Sequence, residues 1–162
     1  MQKITPFLWF DNKAEEAASF YASIFKNSTV GAVTRYDGAG AGASGMPKGT
    51  AMTVSFKLEG QEFIALNGGP HFKFTEAISF VIDCKTQEEV DYFWEKLTAG
   101  GGQESMCGWL KDKFGLSWQV VPTVLTELLT DKDAAKAQRA MQAMLQMKKI
   151  DIAGLKRAYE QK

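Results

Sequence analysis

The sequence predicts an α+β fold of two βαβββ modules followed by C-terminal helices. Three observations carry this. Stretches of two-residue apolar alternation and stretches of 3.6-residue periodicity follow one another in the same order twice. The two copies overlay without a gap: Phe7-Leu-Trp-Phe-Asp11 falls on Ser79-Phe-Val-Ile-Asp83, and Glu16, Phe20, Tyr21 and Phe25 then meet Glu88, Tyr92, Phe93 and Leu97. A repeat of this kind fixes the architecture before any single element does. The chain of 162 residues is long enough for one domain with a sizeable core. The expected layout is a two-module domain over residues 1–125, with modules of about 1–72 and 73–125, and a helical extension over 126–162.

Each element has a local reason. Lys3 to Phe10 is aromatic and aliphatic and reads as a strand, with Pro6 pointing to an edge position or a bulge. Asn12, with Glu15 three residues on, reads as a capping box. It opens a helix whose buried face is Ala14, Ala17, Ala18, Tyr21, Ile24 and Phe25. Thr29 to Tyr36 returns to strand character. Asp37 to Gly49 has almost no apolar anchor and is expected to be a mobile flap; long loops of this kind often serve as lids. Met52, Val54, Phe56 and Leu58 alternate with polar residues in a half-buried strand, and Glu59-Gly60 turns it into a partner over Gln61 to Leu66. Asn67-Gly-Gly-Pro70 is strong turn chemistry and leads to a strand over Ala77 to Cys84. Thr86 and Glu89 form a second capping box, for a helix with Val90, Phe93, Trp94 and Leu97 on its buried stripe; Gly100-Gly-Gly102 ends it. An extended run begins at Gln103. Thr130 or Asp131 is expected to cap a later helix with Ala137, Met141, Met144 and Leu145 as its apolar stripe and Lys148-Lys149 at its end, and Asp151 a short terminal one.

The composition narrows the function classes. Net charge is zero, which gives no footprint for nucleic acid or a charged membrane surface. No apolar run approaches the ~20 residues of a membrane span, and the N-terminus lacks a signal pattern, so a cytoplasmic location is expected. Two cysteines, Cys84 and Cys107, make no disulfide framework, and His71 is the single histidine. A well-furnished transition-metal site would draw on more of both. Gly40-Ala-Gly42-Ala-Ser-Gly45 matches the spacing of dinucleotide-binding turns, but Met46 to Thr50 leads into another strand rather than a helix N-terminus.

The most informative stretch is Cys107 to Pro122. Trp109 and Leu110 end one short strand, Lys111 to Gly115 forms the turn, and Leu116 to Val121 forms a second, β-branched strand that Pro122 stops. Gln119 stands mid-strand among apolar neighbours, as either a cavity-lining amide or a satisfied core group. Alternation puts Trp118 on the opposite face and Ser117 and Val121 on the same one. Trp9, Asn67 and His71 complete the candidates for ligand contact. Each has a plainer alternative: Trp9 as core, Asn67 as turn former, His71 as a surface loop residue. Cys107 reads as a small buried hydrophobe, since no second histidine exists to activate it.

The repeat, with Ile4-Thr-Pro-Phe-Leu-Trp-Phe-Asp11, Ala14-Glu-Glu-Ala-Ala-Ser-Phe-Tyr21, Asn67-Gly-Gly-Pro70 and Trp109-Leu-Lys-Asp-Lys-Phe-Gly-Leu-Ser-Trp-Gln119, resembles the vicinal oxygen chelate superfamily, the fold of glyoxalase I and the extradiol dioxygenases. Within it the chain is similar to the PhnB-like branch, often labelled 3-demethylubiquinone-9 3-methyltransferase. The resemblance implies paired curved half-sheets around one cleft. It also implies a divalent metal held by His and Glu at the ends of strands 1, 4, 5 and 8. Those positions carry Thr5 or Pro6, about Ile64, about Ala77, and Gln119. A one-residue slip brings in Glu62 or Glu76, and two carboxylates without imidazole make a poor transition-metal site. Neither a metal nor another cofactor is expected. The methyltransferase label implies a glycine-rich strand-to-helix turn in an open α/β sheet, which this pattern lacks.

Three readings follow. The first is a metal-independent protein binding a small, largely apolar molecule and working as a homodimer. The second is an enzyme in which Gln119, His71 or a modified metal site acts on a small organic substrate. The third is an interaction protein whose C-terminal helices dock a partner.

Overall fold

Strand β1 (Phe7–Phe10) lies parallel to β4 (Gln61–Asn67), with Phe7 opposite Ile64 and Phe10 opposite Asn67. This pairing sets the first half of a computed structural model that describes residues 2–161. The chain divides into two compact units, one ending at Phe74 and one beginning at Thr75. No helix among the described residues is long and apolar enough to cross a membrane.

In the first unit β1 is followed by α1 (Ala14–Ile24), β2 (Thr29–Arg35), α2 (Gly38–Ser44), β3 (Ala51–Leu58) and β4. The sheet order is β1-β4-β3-β2, which makes β1 an edge strand, consistent with Pro6 just ahead of it. Alternation sends Leu8, Phe10, Val54, Phe56, Leu58, Phe63 and Ala65 to the face that α1 covers, and α1 answers with Ala14, Ala17, Ala18, Tyr21 and Ile24, all buried. The three alanines let the helix lie close, and Tyr21 stacks on Phe56 at 6.1 Å, which stacks on Phe63 at 5.2 Å.

The second unit repeats the plan: β5 (Ser79–Cys84), α3 (Gln87–Thr98), β6 (Gln103–Glu104), β7 (Trp109–Lys111) and β8 (Ser117–Pro122), in sheet order β5-β8-β7-β6. Strands β5 and β8 are parallel, as β1 and β4 are. Helix α3 buries Val90, Trp94 and Leu97 on the face that holds Ile82, Cys84, Leu110, Trp118 and Val120. Three helices follow, α4 (Thr123–Leu129), α5 (Ala134–Met144) and α6 (Ile152–Glu160). They share a small core of Leu125, Ile150 and Leu155, with Ala143, Met144 and Met147 packed against it. Cys107 and Gly108 stitch this extension to the sheet by donating their N–H groups to Met147 O and Lys148 O at 2.7 and 2.8 Å. Gly108 has φ 82°, and a Cβ there would meet Val120 O at 2.8 Å, so only glycine fits the seam.

Several local expectations are corrected. Asn12 has φ 55°, incompatible with the extended backbone of a cap; Asn67 Oδ1 accepts from Ala14 N at 2.9 Å instead. The Asp37 to Gly49 flap contains helix α2, because alanine and serine permit a helical turn even without an apolar stripe. Its ends are pinned where Tyr36 N donates to Thr50 O at 2.8 Å and Gly49 N to Tyr36 O at 2.7 Å. The glycine motif is thus part of a short helix between antiparallel strands. Pro122 belongs to β8 and leads directly into α4, an element the apolar pattern did not reveal. Asp133, not Thr130 or Asp131, caps α5, accepting from Ala135 N and Lys136 N. Met141 and Leu145 are exposed, and the buried position of α5 is Ala140. Asp151 precedes α6 without capping it by side chain; Gln87 Oε1 accepts from Ile152 N at 2.8 Å. At α3 the capping residue stands as expected: Thr86 Oγ1 accepts from Glu89 N at 3.2 Å, while Glu89 Oε2 accepts from Lys85 N.

Candidate functional site

Strand β8 divides its side chains cleanly. Trp118 faces α3's side, where its Nε1 donates to Asp112 Oδ2 at 2.9 Å. Gln119 points to the opposite, open face and is half-buried. Its Nε2 donates to Ser79 Oγ at 2.9 Å, across the parallel β5–β8 pair. Val81, opposite Gln119 in that ladder, is 55% exposed. Ser117 shares the Gln119 face, is 1% exposed, and its hydroxyl has no hydrogen-bond partner. A buried hydroxyl without a partner costs free energy and is uncommon in folded proteins. Lys111, opposite Ser117 on β7, forms an ion pair with Glu76, whose carboxyl that hydrogen bond holds below the usual range. The face therefore offers an amide oxygen and an apolar valine, with the Ser117 hydroxyl buried beneath it and the Lys111 ammonium paired with Glu76.

The first unit places Trp9, His71 and Asn67 around the Asn67–Pro70 turn, each differently. Trp9 Nε1 donates to Gly69 O at 2.9 Å, and its ring lies so close over Gly68 that a Cβ there would come within 2.3 Å. Phe72 meets the indole edge-on at 4.8 Å and is 66% exposed, and His71 is exposed beside the same turn. Asn67 is buried, with its amide engaged at both ends: Oδ1 with Ala14 N, and Nδ2 donating to Ala51 O at 2.9 Å. It holds α1 to the sheet and presents no face to a ligand.

The divalent metal implied by the fold can be tested on these residues. Among those described, no group of three or more His, Cys, Asp and Glu could hold an ion. Glu62 is paired with Lys57 at 3.5 Å and Glu76 with Lys111. Gln119 is a neutral amide already bonded to Ser79. The donor set does not fit the metal. Cys84 is fully buried, its thiol pushed up to about 12 by burial first and then by the negative charges of Glu89 and Asp83. It is no nucleophile.

Two side chains that matter were not singled out from sequence. Asp112 is buried and accepts from Phe114 N at 2.8 Å, Leu116 N at 3.1 Å and Trp118 Nε1, so it builds the turn that aims β8. An aspartate three residues before Gly115 is a turn signature that could have revealed it. Gln87 donates to Asp91 Oδ1 and Ile150 O, both at 3.0 Å, and caps α6. No local pattern announces that role.

Comparison with known proteins gives the family. The model of the family described as 3-demethylubiquinone-9 3-methyltransferase matches residues 2–121, which leaves α4 to α6 outside the match. A PhnB protein from Bacillus cereus is 40% identical, with a TM-score of 0.66, covering 75% of this chain and 100% of its own. The protein PA1353 from Pseudomonas aeruginosa, 20% identical with a TM-score of 0.59, covers 75% of this chain and 98% of its own and shares the fold. A glyoxylase/bleomycin resistance protein/dioxygenase domain from Frankia sp. EAN1pec is 12% identical with a TM-score of 0.48, covering 75% and 92%. No curated protein sequence matches the chain. The family model, matched over residues 2–121, and the 40% identity over the whole length of the Bacillus PhnB protein make this chain a member of the PhnB-like family described as 3-demethylubiquinone-9 3-methyltransferase.

Proposed function

We propose that this chain binds a small, largely apolar organic molecule carrying a carbonyl or hydroxyl group, without a transition metal, and that Ser117 and Gln119 make its polar contacts. The supporting observation is the pair itself: a buried, unpartnered Ser117 hydroxyl and, two residues on, an amide that spends its Nε2 on Ser79. A ligand that parts the cover over Ser117 would bring an oxygen to satisfy the buried hydroxyl, and Val81 would pack its apolar body. In the first unit, Trp9 and His71, with Phe72, offer a second set of contacts for a flat ligand. The reading includes a symmetric homodimer, the commonest closed assembly, because Met106, Met141 and Leu145 are exposed apolar residues of the second unit. Light scattering at micromolar concentration should give twice the chain mass; the monomer mass would remove this part of the reading.

Native mass spectrometry of the purified protein against a library of small aromatic ketones and phenols tests the site. Binding to the native chain is expected, and Gln119→Leu should weaken it by roughly 1–3 kcal/mol with the fold intact. Lost thermal stability with no change in binding would make Gln119 a structural amide tied to Ser79. Elemental analysis of protein purified without chelator should show substoichiometric Ni, Zn, Fe and Mn. One tightly held equivalent, lost on Gln119→Leu or Glu76→Gln, would favour a modified metal enzyme.

A further inference from the structure

Helices α4 to α6 lie beyond the residues that the family model matches, yet they are tied to both strands that frame the Gln119 face. The hold on β7 runs through the turn ahead of it. Gly108 N donates to Lys148 O at 2.8 Å, and Gly108 O accepts from Val120 N at 2.8 Å. One residue therefore bridges the extension and β8. Beside it, Cys107 N donates to Met147 O at 2.7 Å. Cys107 has φ 61°, a left-handed backbone that costs free energy at a residue with a side chain and persists only where its surroundings hold it. The two carbonyls of the extension supply that hold. Trp109, which follows directly, is the ladder partner of Gln119.

The hold on β8 is apolar. Val121 shares the face of Gln119 by alternation, and it packs against the small core of the extension, Leu125, Ile150 and Leu155. Ile150 is fully buried and also reaches the turn, where a Cβ on Gly108 would stand 3.1 Å from its Cγ1. Gly108 and Val121 thus meet the same core from two strands. The extension is in turn locked by α3. Gln87 Nε2 donates to Ile150 O at 3.0 Å, and Gln87 Oε1 accepts from Ile152 N at 2.8 Å. These bonds fix the chain two residues beyond the carbonyls that hold Cys107 and Gly108. We propose that α4 to α6 are a strap that sets the geometry of the Gln119 face, with Gln87 as its positioning residue. This rests on the reading of that face as the binding face. With the strap released, Cys107 relaxes from its left-handed conformation, Gly108 O leaves Val120 N, and β7 loosens beside Gln119.

The test needs no ligand. Gln87→Met in the ¹⁵N-labelled full chain removes both bonds to the extension and leaves residues 105–121 unaltered. Amide exchange at Cys107, Gly108 and Val120 should speed about tenfold relative to the native chain, the change expected when a hydrogen bond of the hold is lost. The side-chain amide resonance of Gln119, whose Nε2 bonds Ser79, should shift with it. Thr86→Ala is the control, since it removes the side-chain cap of α3 and leaves the bonds to the extension in place. Lys149→Met breaks only the ion pair with Asp91 and should give the same pattern weakened, which keeps the test open if Gln87→Met does not fold. Faster exchange confined to α6, an unmoved Gln119 amide in both folded variants, or an equal response in Thr86→Ala would overturn the proposal. The exchange pattern decides the strap and the Gln119→Leu binding screen decides the site, so the two can fail separately.

Discussion

Asp112 shows how much one side chain can organise. Its carboxyl group satisfies two backbone donors and an indole N–H in a buried turn, so its loss orphans all three. Asp112→Ala should therefore destabilise the chain by upwards of about 3 kcal/mol in chemical denaturation. Asp112→Asn should cost less, since an amide oxygen still accepts. Cys84 gives a contrasting prediction. With a thiol raised to about 12 inside the core, it should resist iodoacetamide at pH 8 in the native state, while half-buried Cys107 reacts. Mass spectrometry after limited alkylation reads this directly, and modification of Cys84 first would contradict the packing of β5 on α3.

At the level of elements, two helices are capped by side chains distant in sequence. Asn67 caps α1 from the end of β4, and Gln87 caps α6 from α3. Asn67→Ala should cost about 1–3 kcal/mol and speed hydrogen exchange in the first turn of α1. Gln87 also orients Asp91, which pairs with Lys149 at 2.8 Å. The Lys149 ammonium first, and the Gln87 amide second, hold the Asp91 carboxyl below the usual carboxylate range. A depressed folded-state value means the contribution is present above the unfolded value of about 4 and is lost as pH falls through the lower folded one. Solvent screening keeps it small, as both side chains are nearly half exposed. Protection factors across α5 and α6, with the intrinsic exchange rate at each pH divided out, should therefore fall on acidification below about pH 4. In Lys149→Met that fall should be smaller, because the Asp91 carboxyl then lies closer to its unfolded value, and an unchanged profile would dismiss the latch.

For the chain as a whole, the family description raises methyl transfer. Dinucleotide-type and methyl-donor sites of open α/β sheets use a glycine-rich turn between parallel strands, with a helix N-terminus on the ligand. Here the glycines lie in α2, which joins the antiparallel strands β2 and β3. Calorimetry with S-adenosylmethionine should show no binding heat. Micromolar affinity would place the methyltransferase description back on this chain.

The repeat Phe7–Asp11 over Ser79–Asp83 and the alternation of β3 and β8 determined the two βαβββ units, because backbone periodicity and burial are local properties of the chain. Gln119 and Trp118 were separable onto opposite faces for the same reason. What only the tertiary structure decided are the partnerships between distant segments. Asn67 reads as a turn former and is a helix cap, Gln87, which no local pattern singles out, ties down α6, and Ser117 is left with a buried hydroxyl and no partner. Hydrogen bonds of this kind join residues tens of positions apart, and their geometry is set by how sheets and helices pack. No window of sequence contains both ends of such a bond.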